Sequence, residues 1–116
     1  MLIWTDTLEL AFNSKSLRTI CESETHAKSE LGLQGAEVLK HRLADLRAAT
    51  SIKDLVVGRP SILNDADNQD IAIDLCEGHR LVFCANHPKN PVTKSGELDW
   101  LRVSRIKILR IERNYD

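Results

Sequence analysis

The fold is decided by the stretch Asp70-Ile71-Ala72-Ile73-Asp74-Leu75-Cys76-Glu77-Gly78-His79-Arg80-Leu81-Val82-Phe83-Cys84-Ala85-Asn86. Large apolar residues occupy every second position on both sides of Glu77-Gly78-His79, with His79 as a turn residue. Two such runs around a short turn that contains glycine predict a β-hairpin. One face would supply a core, and the other would carry Asp74 and Arg80. Because a lone hairpin is marginal in water, other elements must extend this sheet or cover its apolar face.

Length and composition indicate one soluble globular domain that spans residues 1–116. Hydrophobic residues make up 42% and charged residues 28% of the 116 residues, which is ordinary for such a domain. No run approaches the ~18 consecutive apolar residues of a membrane span. The first residues lack the basic lead and apolar length of a signal peptide. We therefore expect a cytoplasmic protein with no membrane partner.

The cysteines and the net charge exclude some classes of protein. Cys21, Cys76 and Cys84 form an odd set without CxxC or zinc-like spacing, so we expect buried free thiols and no metal site or cofactor. The formal net charge of −1 argues against a globally basic nucleic-acid binder, although a local basic patch is compatible with it.

Before the hairpin, the chain predicts one strand followed by helices. Alternation of Leu8, Leu10 and Phe12 indicates the strand. Asn13 or Ser14 can cap a first helix, and Gly32 can end a second, short one in a left-handed conformation. A longer helix from about residue 35 to 48 would bury a stripe of Ala36, Leu39, Leu43 and Leu46. The predicted fold class is α+β, with the N-terminal strand and helices packed on a small antiparallel sheet.

Positive charge is concentrated in residues 100–113, which hold five basic residues and one acidic residue, Glu112, for a local net charge of +4. Ile106 and Ile108 share one parity, whereas Leu109 and Ile111 take the other. This pattern indicates a bulge near Ile108 or a strand buried on both faces, and we favour a central strand. A long irregular loop from His87 to Leu98 precedes this segment.

The order of strand, helices and antiparallel strands with late basic residues resembles the RelE/ParE toxin superfamily, and within it the HigB-like plasmid-maintenance killer proteins. The most specific stretch is Leu43-Ala44-Asp45-Leu46-Arg47-Ala48-Ala49-Thr50-Ser51-Ile52-Lys53-Asp54-Leu55, which is similar to that branch's helix end and Ala-Thr-Ser turn. Supporting pieces are Lys15-Ser16-Leu17, Gly78-His79-Arg80-Leu81-Val82-Phe83 and Ile111-Glu112-Arg113-Asn114-Tyr115-Asp116. The likeness covers nearly the whole chain from Leu8 onward.

The resemblance implies a ribosome-dependent messenger RNA endonuclease, held in a hetero-oligomer by a HigA-like helix-turn-helix antitoxin. The ribose 2′-OH would attack the adjacent phosphate, which requires proton transfer and cations. Arg80 matches the family's strand arginine, and Tyr115 lies where family members end in a Tyr-His-like pair, so these two are the candidate catalytic residues. Candidate RNA contacts are Arg59, Arg102, Arg105, Lys107, Arg110 and Arg113.

Two departures from the branch keep other functions open. The histidine that often follows the loop occupied here by Gly58-Arg59-Pro60 is replaced by Ser61-Ile62-Leu63, and the terminal pair is Tyr115-Asp116. A ParE-like inhibitor of DNA gyrase is therefore an alternative. So is a catalytically inactive member that binds its antitoxin and regulates their operon.

Overall fold

The structure, a computed structural model, describes residues 8–49, 60–63, 70–76 and 78–113. These described residues form two helices and five strands. They are β1 (Glu9–Phe12), α1 (Lys15–Glu22), α2 (Glu24–Ala48), β2 (Ser61–Leu63), β3 (Asp70–Asp74), β4 (His79–Ala85) and β5 (Arg105–Arg113). The α+β, single-domain prediction is confirmed.

The sheet has the strand order β1-β5-β4-β3-β2. The predicted hairpin is β3 and β4, which pair antiparallel with Asp74 directly across from Arg80. Its turn contains Gly78 at a φ of 77°, a conformation that favours glycine. β5 lies inside the sheet, antiparallel to β4, as the preference for a central strand predicted. β1 departs from the predicted antiparallel arrangement, because it pairs parallel with β5.

The two helices begin where capping side chains satisfy their first backbone N–H groups. The Ser14 hydroxyl accepts a hydrogen bond from Leu17 N at 3.1 Å, and Ser23 caps α2. Gly32, at φ 79° and ψ 174°, interrupts α2 and kinks it. The predicted short and long helical pieces are therefore joined at this glycine.

The core lies between the helices and one face of the sheet. The predicted stripe is buried in full, with Leu39 and Leu46 at most 1% exposed. It packs against Ile73, Leu81, Phe83, Ile106 and Ile108. Trp100 also packs on this core and contacts Phe83 edge to face, with ring centroids 6.2 Å apart. None of the described helices is both long and apolar enough to cross a bilayer.

A bulge, one of the two alternatives that the sequence left open, is present in β5. Val82 pairs with Arg110 whereas Phe83 pairs with Ile108, so Leu109 is the extra residue. The extra residue resets the alternation of side chains. Ile106, Ile108 and Ile111 therefore all face the core, and Arg105, Lys107 and Arg110 all lie on the opposite face.

Candidate functional site

The face of the sheet opposite the helix-packed core, here called the open face, brings four cations together. The strand registers place Arg80 from β4 and Arg105, Lys107 and Arg110 from β5 on it. These are one candidate catalytic residue and three of the candidate RNA contacts. The sequence alternation that placed Arg80 opposite the core is thus confirmed.

Acidic side chains from all parts of the sheet share the open face with these cations. The same registers place Glu9, Asp70, Asp74 and Glu112 there. Glu9 pairs with Arg105, with Arg105 Nε 3.1 Å from a Glu9 carboxylate oxygen. The four described cations therefore meet four carboxylates. The positive and negative charges of these residues on the open face are therefore equal in number, whereas the sequence predicted a concentration of positive charge.

Arg80 and Arg110 converge on the carboxylate of Glu112. Arg80 donates from Nε and Nη2 to Glu112 Oε2 at 3.1 and 2.8 Å, and Arg110 donates from Nε to Oε1. The side chains of Arg80 and Glu112 are only 22% and 28% exposed. The hydrogen bonds from Arg110 and Arg80 lower the pKa of Glu112 although burial opposes them. Two guanidinium groups therefore bind one carboxylate on the open face.

The other candidate residues lie elsewhere. Arg102 belongs to the loop before β5, where it bonds Asp99 at 2.8 Å and the Val92 carbonyl. Arg113 lies on the helix side of the sheet, across from His79. Arg59 and Tyr115 lie outside the described residues, as does the polar loop of residues 64–69. Arg80 thus meets Arg110 at Glu112 and shares the open face with Lys107 and Arg105, which lie toward the other end of β5. Arg102 and Arg113 are not on this face.

The long loop that connects β4 with β5 is organised by its own contacts. His87 Nε2 accepts hydrogen bonds from the backbone N–H groups of Ser104 and Arg105 at 3.1 and 3.3 Å. Val92 and Leu98 form an isolated antiparallel bridge. These contacts fix where β5 begins and hence which of its residues lie on the open face.

The three cysteines are free and half-buried, so the prediction of free thiols is confirmed and that of full burial is wrong. Burial raises the pKa of Cys21 to about 11. At neutral pH this thiol is protonated and therefore a poor nucleophile. It lines a cavity of about 170 Å³ between α1 and α2, on the other side of the sheet from Arg80. Within the described ranges, no group of three His, Cys, Asp or Glu residues could hold a metal ion.

Comparisons of the chain with known protein families, characterised proteins and solved structures find no match.

Two residues that the sequence reasoning did not select lie at the candidate site or line a cavity. In the sequence Glu112 is only the single acidic residue of a basic segment, whereas in the structure its carboxylate binds both Arg80 and Arg110. His79 was predicted to be a turn residue, whereas it is the first residue of β4 and lines a second cavity. Its position two residues before Leu81 was the available signal, because alternation places both side chains on the same face.

Proposed function

We propose that this protein is the toxin of a type II toxin–antitoxin pair and cuts messenger RNA on the ribosome. The order of strand, two helices and antiparallel strands supports the resemblance to the HigB-like branch. The observation that carries the proposal is the convergence of Arg80 and Arg110 on one oxyanion. Paired guanidinium groups bind phosphate and carboxylate oxygens in the same geometry.

In this proposal a phosphate of the messenger replaces Glu112 between the two arginines. Arg105 and Lys107 continue the row of cations along β5 and would contact neighbouring phosphates. When the 2′-oxygen attacks, the phosphoryl group gains negative charge, and fixed guanidinium groups stabilise that charge. The antitoxin is the expected partner, and its acidic groups would compete for the same cations.

A second candidate is supported by the charge balance of the open face. RNA binding favours unopposed cations, whereas alternating charges are typical of surfaces that recognise a protein. A protein with this fold that binds its antitoxin without cutting RNA would need only the mixed charges of the open face. The two functions differ in whether expression without the antitoxin arrests growth.

The test is expression of the wild-type chain and of Arg80→Ala, with transcripts sequenced at their 5′ ends. We expect growth arrest and cleaved transcripts from the wild type, and a roughly 100-fold lower cleavage rate from Arg80→Ala because one donor to the phosphate is lost. Arg18→Ala is the matched control, since it removes an arginine from an exposed ion pair with Glu22 on α1. Thermal melting checks that both variants fold.

Three outcomes would contradict the proposal. Harmless expression of the wild type would favour the antitoxin-binding member. Growth arrest with DNA damage and intact transcripts would favour a gyrase inhibitor. Cleavage by a folded Arg80→Ala variant at the wild-type rate would remove Arg80 from the reaction.

A further inference from the structure

The β4–β5 loop, residues 86–104, is closed by the side chain of His87. Nε2 of this imidazole accepts hydrogen bonds from the backbone N–H groups of Ser104 at 3.1 Å and Arg105 at 3.3 Å. The two donors lie 17 and 18 positions further along the chain. The start of the loop is therefore tied to the start of β5 through one side-chain atom of a half-buried residue.

These two bonds determine the protonation state of the ring. A backbone N–H group can only donate a hydrogen bond, so Nε2 must offer its lone pair. In the neutral ring the proton then lies on Nδ1. An imidazolium carries a proton on each nitrogen, and a proton on Nε2 would face the two N–H groups that bind there. The two bonds of His87 therefore exist only while the ring is neutral.

The residues that His87 binds form the junction of three strands. The Ser104 carbonyl accepts a hydrogen bond from Glu9 N of β1 at 2.8 Å. The Arg105 carbonyl accepts one from Asn86 N, directly after β4, also at 2.8 Å. The carbonyl groups of Ser104 and Arg105 thus belong to the pairing of the sheet, whereas their N–H groups bind His87. Loss of the His87 bonds would release the loop at this junction and leave the strands paired.

The charged side chains on the elements around the imidazole are Arg105 of β5, Glu9 of β1, and Lys89, Asp99 and Arg102 of the loop. Both carboxylates of this set are paired with arginines. Arg105 Nε lies 3.1 Å from the Glu9 carboxylate, and Arg102 Nε lies 2.8 Å from the Asp99 carboxylate. An imidazolium would therefore lose two hydrogen bonds and gain no free carboxylate from this set in exchange.

We propose that His87 is a pH-sensitive switch that controls the closure of the β4–β5 loop. The neutral ring binds Ser104 and Arg105, and the ring that has taken a proton from water at Nε2 releases both. Histidine side chains change charge between about pH 5 and pH 8, so we expect the loop to open on acidification in this interval. Because β5 begins at this junction, opening would loosen the end of the open face that carries Arg105 and Lys107. The switch is independent of the proposed nuclease function, since it consists of one imidazole and two backbone N–H groups.

The test is hydrogen exchange of the Ser104 and Arg105 backbone N–H groups, followed by NMR at pH 7.5 and pH 5 and corrected for the intrinsic exchange rate at each pH. In the wild type we expect the protection of both groups to be on the order of tenfold lower at pH 5, because one or two net hydrogen bonds are lost. The N–H group of Leu81, in the centre of β4, should keep its protection, because the sheet stays folded.

Two substitutions separate the charge of the ring from its bonds. His87→Gln places an amide oxygen near the position of Nε2, and this oxygen accepts hydrogen bonds at either pH. We expect its Ser104 and Arg105 protection to be the same at pH 5 and pH 7.5. His87→Ala removes the acceptor, so protection should be low at both pH values. His41→Gln, on the exposed side of α2, is the matched control and should respond to pH as the wild type does.

Four results would overturn the switch. They are equal protection of Ser104 and Arg105 at the two pH values in the wild type, a pH response that persists in His87→Gln, wild-type protection at pH 7.5 in a folded His87→Ala, and loss of Leu81 protection at pH 5. The last would mean that acid unfolds the sheet instead of opening the loop. Each result can be obtained whether or not the protein cuts RNA, so the switch and the proposed function are tested separately.

Discussion

At the scale of single residues, Arg80 shows what a sequence pattern can predict about a side chain and what it cannot. Alternation along the hairpin predicts its face correctly, because side chains on neighbouring positions of a strand must alternate. The same reasoning places Asp74 beside it, and the two residues are directly paired in the sheet. Its bond to Glu112 could not be predicted, because that contact depends on the register of β5 against β4, 32 residues further along the chain.

Glu112 is the residue whose ionisation should be visible in stability. Its pKa is lowered in the folded protein by hydrogen bonds from Arg110 and Arg80. A carboxylate of this kind stabilises the fold above the ordinary glutamate pKa of ~4.3, and the contribution is lost as the pH falls through the lower, folded-state value.

We therefore expect Glu112→Gln to be less stable than the wild type by about 1 kcal/mol at pH 7. The difference should shrink as the pH falls below the ordinary glutamate pKa of ~4.3 and through the lower, folded-state value, where the wild-type carboxyl becomes neutral. Urea denaturation at a series of pH values measures it. Glu97→Gln, in the exposed part of the β4–β5 loop, is the control. A deficit of the same size at pH 3 and pH 7 would contradict the assignment.

At the scale of elements, the predictions that depended on local chemistry are confirmed. The Ser14 cap of α1, the stripe on α2 and the hairpin turn each follow from residues a few positions apart. The bulge in β5 was one of two alternatives that the change of parity among its isoleucines left open, and the register of β5 against β4 decides for it. The break between the two helical pieces at Gly32 was predicted as well, because glycine is the residue that most readily takes a positive φ.

Gly32 holds a conformation that is nearly restricted to glycine, with φ at 79° and ψ at 174°. No atom lies within 4 Å of a Cβ placed there, so only backbone strain opposes a larger residue. We expect Gly32→Ala to lower the free energy of unfolding by about 1–3 kcal/mol. Chemical denaturation compares it with Ser29→Ala one turn earlier. A more stable Gly32→Ala would mean that the kink is not required.

At the scale of the whole molecule, the α+β class was predictable and the sheet topology was only partly so. Hairpins and meanders connect neighbours in sequence, whereas β1 meets β5 through pairs such as Leu10 with Ile106. No local pattern encodes a contact between residues so far apart in the chain. The open face shows the same limit, because Glu9, Asp70 and Asp74, three of the four acids that balance its cations, come from other strands.

The position of β5 between β1 and β4 has a consequence for how the protein could be divided. Residues 1–95 alone would leave β1 without its sheet partner and β4 with an unpaired edge, and residues 96–116 carry the missing strand. We expect neither fragment to fold by itself and the two to reassemble when mixed, with circular dichroism reporting the recovery. A fragment of residues 1–95 that folds by itself would contradict this expectation. Split in this way, the chain would become a two-part switch whose activity exists only where both fragments meet.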